Sequence, residues 1–196
     1  MSVAPISRAR WEEAQQHEAA YWAREAMTPD KLLADLADGH HWTAGALDIR
    51  PATVTGDVLD IAGGDYPLGE ALPWHTAGYT VLDPATPTRT AEGVWRVQAM
   101  AEGYRAMYGE VWGYNVLQHV QDPTAVMETA KACAAVRVRW FDVVDTPVYP
   151  VHPHSLTADW LRAQFAGWRI TRDIEGARWI DGHRQRFVAL VAERAA

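Results

Sequence analysis

The apolar positions of this chain form short, nearly continuous runs separated by longer stretches with helical spacing. Five such runs occupy residues 58–61, 79–82, 94–99, 111–114 and 136–144. Runs of this length are typical of parallel strands that are covered on both faces. Because runs and helical stretches alternate, the pattern predicts a parallel sheet joined by right-handed crossovers.

Helical patterns fill the segments before and between these runs. Residues 7–26 predict a first helix, and a second begins at Thr28-Pro29, where Thr28 can cap the helix and Pro29 suits its first turn. Further helices are predicted over 67–72, 122–134 and 157–165. We expect one domain, in which an N-terminal helical cap segment of residues 1–50 precedes a core of residues 51–196.

The end of the chain departs from this alternation. Two apolar runs, residues 168–173 and 185–191, follow one another with no helix-length segment between them. Consecutive strands joined without a crossover must pair antiparallel. The predicted fold is therefore an α/β, Rossmann-like three-layer α/β/α sandwich, with a seven-stranded, mostly parallel sheet that ends in a C-terminal antiparallel hairpin.

A glycine turn follows the first strand. Gly63-Gly64 allow the backbone to turn sharply after Asp60, and Pro67 fits a first helical position. Such turns lie at the carboxyl edge of a sheet, where helix amides border a ligand crevice. Asp83 ends the next run, at the distance where nucleotide-binding sheets place a carboxylate on ribose hydroxyls. The two features predict a nucleoside-containing cofactor.

At these residues the chain resembles the class I S-adenosylmethionine-dependent methyltransferases, in particular the small-molecule-type methyltransferase domain. The first motif of that family is an acid followed by glycines at alternate positions. Asp60, Ala62, Gly64 and Tyr66 occupy these slots, so two of the glycines are replaced. Because Tyr66 precedes Pro67, its backbone is biased toward an extended conformation, which can turn the ring into a wall of the pocket.

The resemblance extends over about residues 54 to 192. Asp83 matches the ribose-binding acid, Ala101-Glu102 match the segment beside the adenine, and residues 115–123 match the motif after the fourth strand. The resemblance implies S-adenosylmethionine as cofactor, with the following contacts: Asp60, Ala62, Gly63, Gly64, Tyr66, Asp83, Pro84, Ala101, Glu102 and Asn115. Gln98 is an alternative to Glu102 beside the adenine.

The implied activity is methyl transfer to a small-molecule or nucleotide-like acceptor by direct in-line displacement. Such a reaction requires alignment and, for some acceptors, removal of a proton. An alternative is a protein of this fold that binds the cofactor, or a partner, without transferring a methyl group. A nicotinamide- or nucleotide-sugar-binding enzyme is disfavoured by the terminal hairpin and by the missing third glycine of that fingerprint.

His119 is the candidate general base, because it follows the fourth strand at the cofactor-facing edge and histidine titrates near neutral pH. A structural role is the alternative. Tyr149, His152, His154 and Trp22 are candidate acceptor contacts. The stretch His40-His41-Trp42 could border the same pocket, and an exposed polar loop is the alternative. His152 and His154 resemble half a metal site, but no third ligand has diagnostic spacing, so no metal is expected.

Composition narrows the classes of partner. The net charge of -7 argues against extended nucleic-acid binding, which requires clustered cationic side chains. Cys133 is the only cysteine and lies in an apolar helical stretch, which predicts a buried, inert thiol. We expect a cytoplasmic protein without a membrane span, because no segment has the pattern of a signal peptide or a transmembrane helix. Motifs of hydrolases, phosphotransferases and metalloproteases are absent from the sequence.

Overall fold

The computed structural model describes residues 3–24, 42–64, 78–85, 89–91, 94–180 and 183–195. The strands in these ranges are β1 (Val58–Ile61), β2 (Tyr79–Leu82), β3 (Arg89–Ala91), β4 (Val94–Val97), β5 (Tyr108–Tyr114), β6 (Ala134–Val144), β7 (Trp168–Ile180) and β8 (His183–Arg194). The helices are α1 (Arg8–Arg24), α2 (42–46), α3 (Pro123–Cys133) and α4 (Ala158–Ala163).

The described strands form one sheet in the order β3-β4-β2-β1-β5-β6-β8-β7. Strands β4, β2, β1, β5 and β6 are parallel, as predicted. The strand order reverses beside β1, which separates β2 from β5. The unpredicted strand β3 pairs antiparallel with β4 at the sheet edge and extends the expected seven strands to eight.

The terminal hairpin confirms the predicted antiparallel pairing. Strand β7 pairs with β8, and β8 pairs with β6, in both cases antiparallel. Both strands are longer than the apolar runs 168–173 and 185–191, and the added residues include the charged Glu175, Arg184 and Glu193. The mostly parallel sheet therefore ends as expected from sequence.

Helices α3 and α4 cover one face of the sheet, while α2 and the residues up to Ile49 cover the other. Both helices begin at an N-cap: Asp122 Oδ1 accepts from the Thr124 and Ala125 amides, and Thr157 Oγ1 accepts from the Trp160 amide. Cys133, at the end of α3, is buried as predicted. Each face of the sheet therefore carries its own hydrophobic core.

A buried ionic network fixes the second layer near the amino ends of the strands. Glu110 is fully buried, and its Oε2 accepts from Nε of Arg139 at 2.7 Å while its Oε1 accepts from Nη1 of Arg137 at 2.8 Å. Arg139 also donates to the carbonyls of Leu47 and Thr53 at 2.6 and 2.7 Å. The network holds the chain segment between α2 and β1 against the sheet, and sequence analysis did not predict it.

Several predicted features lie outside the described residues. These are the helices over 28–39 and 67–72, together with Tyr66 and the side chain of Trp22. Within the described ranges, no helix combines the length and apolar character needed to cross a membrane.

Candidate active site

The carboxyl ends of β1 and β2 meet at the glycine turn. The Ala62 amide donates to the Leu82 carbonyl at 2.7 Å, and the Gly64 amide donates to Oδ2 of Asp83 at 3.1 Å. Oδ1 of Asp83 accepts from the Ala85 amide at 2.8 Å. The Asp83 carboxylate therefore links the glycine turn after β1 to the turn after β2. Both turns lie beside the position where the strand order reverses.

The turn is formed despite the missing glycine at position 62. Ala62 has φ of 57° and Gly64 has φ of 56°, both in the left-handed region. That conformation costs an alanine about 1 to 2 kcal/mol. Arg96 of β4 is buried, and its Nη1 donates to the Gly64 carbonyl. This hydrogen bond stabilises the turn. The role of Arg96 was not predicted.

Asp60 lies in the interior of the sheet at the start of this turn. Only 1% of its surface is exposed, and Oδ2 accepts from the Tyr79 hydroxyl of β2. In the sheet register, Asp60 lies opposite Val81, and Val81 lies opposite Arg96. The acid and the arginine therefore share one face of three neighbouring strands, below the glycine turn.

The loop after β5 is held by side-chain amides. Asn115 has φ of 53°, its amide donates to the Phe141 carbonyl at 2.8 Å, and its Oδ1 accepts from Nε2 of Gln118 at 3.3 Å. Gln118 is buried, also donates to the Val143 carbonyl and accepts from the Thr146 hydroxyl. Gln118 thus links this loop to the one after β6.

Asp142 supports the same loop from inside β6. Its Oδ2 accepts from the Leu117 amide at 3.1 Å and from Nε1 of Trp140 at 3.0 Å. The carboxyl group is completely buried, and that burial raises the pKa of Asp142 to about 6. Asp142 fixes the backbone two residues before His119, although sequence analysis did not select it.

The raised pKa of Asp142 makes the stability of this loop depend on pH. The carboxyl group of Asp142 has a pKa of 3.8 in the unfolded chain and of about 6 in the folded protein, so the folded state binds the proton more tightly. This proton binding contributes its full stabilisation below pH 3.8, and the contribution is lost as pH rises through about 6. We expect the difference in unfolding free energy, wild type minus Asp142→Asn, to fall by about 1 to 3 kcal/mol between pH 4 and pH 8. Urea denaturation followed by circular dichroism measures this difference.

The exposed Asp159 provides the matched control. Asp159→Asn removes an exposed carboxylate and should change the free energy of unfolding only slightly. Burial lowers the pKa of His152 to about 4, so acid weakens the fold through that residue between pH 6.5 and 4, equally in all three proteins. Parallel curves for wild type and Asp142→Asn would contradict the assigned role of the buried carboxyl group.

Helix α1 lies across the loops after β5 and β6 and brings several predicted residues together. Nε1 of Trp11 donates to the His119 carbonyl at 2.9 Å, and Oε2 of Glu18 lies 3.2 Å from Nδ1 of His119. The His119 and His152 rings are 4.7 Å apart between centroids, with their planes at 88°, and the Tyr149 ring lies 6.4 Å beyond His152. The structure thus clusters His119, His152 and Tyr149.

The remaining predicted histidine has a supporting position. His154 is 3% exposed, and its Nε2 donates to the Val120 carbonyl at 2.8 Å. Burial lowers the pKa of His154, which keeps the ring neutral. In this conformation the His154 ring supports the loop after β5 through its hydrogen bond to Val120. A contact between His154 and the acceptor stays a prediction.

The residues predicted beside the adenine occupy the connection from β4 to β5. Oε1 of Glu102 accepts from the Gln121 and Asp122 amides at 3.0 and 3.1 Å. Ala101 is buried beside it, while the exposed Gln98 donates to the Pro84 carbonyl at 3.1 Å. Glu102 therefore couples this connection to the loop that carries His119.

An aromatic cluster covers the second face of the sheet near the same edge. The Trp42 ring meets Phe187 and Phe141 edge-on, with centroids 4.6 and 5.9 Å apart, and Tyr114 packs on Phe141 at 5.2 Å. Trp42 remains 42% exposed. No group of three or more metal-ligating side chains with the arrangement of a metal site occurs in the described part of the chain.

No protein-family profile and no curated protein sequence matches this chain. Solved structures do match. One is 1,6-didemethyltoxoflavin-N1-methyltransferase of Burkholderia thailandensis, crystallised with 1,6-didemethyltoxoflavin and S-adenosylhomocysteine. It is 16% identical, with a TM-score of 0.62 over 99% of this chain and 95% of that one.

Two further structures have the same architecture. Magnesium protoporphyrin IX methyltransferase of Synechocystis PCC 6803, with bound S-adenosylhomocysteine, is 14% identical, with a TM-score of 0.59 over 95% of this chain and 94% of that one. The [4+2]-cyclase SpnF is 10% identical, with a TM-score of 0.61 over 81% and 80%. The chain described here therefore has the fold of the class I S-adenosylmethionine-dependent methyltransferases.

Proposed function

We propose that this protein binds S-adenosylmethionine and transfers its methyl group to a small-molecule acceptor by direct in-line displacement. The observation that carries the proposal is the Asp83 carboxylate, which accepts from the Gly64 amide where the strand order reverses. Open α/β sheets bind their ligands in the crevice at this reversal. The neighbours crystallised with S-adenosylhomocysteine support the same cofactor class.

The cofactor would lie over Gly63-Gly64. Oδ2 of Asp83 accepts from the Gly64 amide and Oδ1 accepts from the Ala85 amide, so the carboxylate is held at the carboxyl edge of the sheet. A carboxylate at this place in a nucleotide-binding sheet is the group that accepts from ribose hydroxyls. The other proposed contacts are the residues expected from sequence: Asp60, Ala62, Tyr66, Pro84, Ala101, Glu102 and Asn115.

The acceptor would lie beside His119, with Tyr149 and His152 as contacts and with Trp22 as a further contact from α1. His119 would remove the proton from a hydroxyl or amine as the methyl group is transferred. Because burial lowers the pKa of His152 to about 4, that ring is neutral at physiological pH and adds no positive charge beside the base. Aromatic and imidazole rings at this position favour a small, unsaturated acceptor.

Asp83→Asn tests the cofactor site. Replacing a charged acceptor by a neutral amide should weaken S-adenosylmethionine binding by about 1.5 to 3 kcal/mol, which is roughly tenfold or more in Kd. Isothermal titration calorimetry with S-adenosylmethionine and S-adenosylhomocysteine measures this change. Asp159→Asn, a substitution of the same kind at an exposed carboxylate, should bind like the wild type.

A wild-type protein that binds neither ligand at millimolar concentration would contradict the proposal. Equal affinities of wild type and Asp83→Asn for the cofactor would leave the cofactor assignment unchanged, but they would show that Asp83 does not contribute to its binding.

A second candidate function is cofactor or partner binding without methyl transfer. Ala62 favours this alternative, because it replaces a glycine of the related motif and has a left-handed conformation that is costly for alanine. A cyclase with the same fold is consistent with it. The two functions differ in one outcome: binding without transfer produces no labelled acceptor from methyl-labelled cofactor.

A further inference from the structure

One face of α1 holds both the backbone and the ring of His119. Trp11 and Gln15 donate to the His119 carbonyl from Nε1 and Nε2, at 2.9 and 3.3 Å. Glu18 follows Gln15 by three residues, so it lies on the same helical face. Its Oε2 is 3.2 Å from Nδ1 of His119. Three consecutive positions on this face therefore contact one residue that is about a hundred positions away in sequence.

The contact selects one nitrogen of the His119 ring. Nδ1 is buried and makes no aligned hydrogen bond within the described ranges, while the Glu18 carboxylate lies at ion-pair distance. A small rotation of the imidazole would direct the Nδ1 proton to Oε2, and catalytic hydrogen bonds often tighten in this way when substrate binds. The hydrogen bond at one imidazole nitrogen decides which nitrogen carries the proton.

Among the described residues, the titratable and charged groups around the ring are Glu18 of α1, Asp142 of β6, His152 and Tyr149 of the loop after β6, and Arg10, which donates to the Tyr149 carbonyl. Asp142 is the second carboxylate of this set, and its Oδ2 accepts from the Leu117 amide and the Trp140 indole. The His152 ring meets His119 edge-on. Glu18 is the carboxylate in direct contact with Nδ1.

We propose that Glu18 is the positioning residue of His119: it keeps the proton on Nδ1, leaves the lone pair on Nε2 and stabilises the imidazolium that forms when Nε2 takes the acceptor proton. The proposal rests on the methyl transfer proposed above. In that step the bond from sulfur to methyl breaks and the bond from acceptor to methyl forms. The acceptor proton passes to Nε2 and then to water, leaving S-adenosylhomocysteine and the methylated acceptor.

The test follows the ring nitrogens of His119 by ¹⁵N nuclear magnetic resonance on the full chain, which requires neither cofactor nor acceptor. In the wild type at about pH 8, Nδ1 should give the signal of a protonated nitrogen and Nε2 that of an unprotonated one. Glu18→Ala should lose this bias, so that both nitrogens give averaged signals. Glu18→Gln keeps a carbonyl oxygen as acceptor and should restore the wild-type pattern. His119→Gln identifies the signals by their loss.

Gln15→Ala is the matched control, because Gln15 donates to the His119 carbonyl from the same helical face, whereas Glu18 lies against Nδ1 of the ring. It should keep the wild-type signals. Identical signals in Glu18→Ala and wild type, or an equal loss of bias in Gln15→Ala, would overturn the role of Glu18. These outcomes are separate from a failure of the proposed function, which is read from cofactor binding in the wild type.

Discussion

Glu110→Ala is expected to lower the free energy of unfolding by about 3 to 5 kcal/mol, because it removes the carboxylate that neutralises a buried arginine. Arg139 is 1% exposed and lies 2.7 Å from Oε2 of Glu110. Trp112 and the Thr55 amide would lose their acceptor as well. Chemical denaturation at neutral pH, monitored by tryptophan fluorescence and circular dichroism, measures this loss.

Glu12 provides the control for this prediction. It forms an exposed pair with Arg8 on α1, and such pairs contribute less than about 1 kcal/mol. Glu12→Ala should therefore change stability only slightly. If Glu110→Ala were no more destabilising than Glu12→Ala, the network would not be what holds the segment between α2 and β1.

His119→Ala is expected to reduce turnover by about 10² to 10⁴ while leaving cofactor affinity nearly unchanged. The ring contacts Glu18 and His152 at the surface of the loops, and its side chain is 21% exposed. Its removal should therefore cost little stability. Turnover is measured with the acceptor identified by transfer of a labelled methyl group, and affinity is measured by calorimetry.

His154→Ala gives the opposite pattern and serves as the comparison. The buried His154 ring donates to the Val120 carbonyl, so its loss should lower the melting temperature and leave an unsatisfied carbonyl in the loop. If His119→Ala instead left both turnover and melting temperature unchanged, His119 would be neither base nor support. Tyr149, His152 and His154 would then be the residues to test.

Most of the sheet could be predicted because its central strands are apolar on both faces. The runs that became β1 and β2 agree with the structure at both ends. Strand β3 was missed because three residues at an edge, Arg89–Ala91, carry no apolar pattern. The second half of β7 was missed for a related reason, because β7 is the edge strand at the other end of the sheet and its residues beyond Asp173 include charged side chains such as Glu175.

The placement of the candidate-site residues in the fold was predictable where local backbone chemistry determines it, while their roles stay predictions. The glycine turn and Asp83 follow from strand ends, and the proximity of His119 to His152 follows from two loops at the same sheet edge. Arg96, Glu110 and Asp142 were missed, because a single charged residue within an apolar run does not identify its partner. The contact between Glu18 and His119 depends on how α1 docks, which no local pattern determines.

The most direct test of methyl transfer uses S-adenosylmethionine labelled in its methyl group, incubated with the protein and a fractionated pool of small metabolites. The account predicts that label moves to a small-molecule fraction, that S-adenosylhomocysteine forms in equal amount, and that both are strongly reduced in His119→Ala. Tight cofactor binding with no label leaving S-adenosylmethionine in any fraction would contradict the account and would favour binding without transfer.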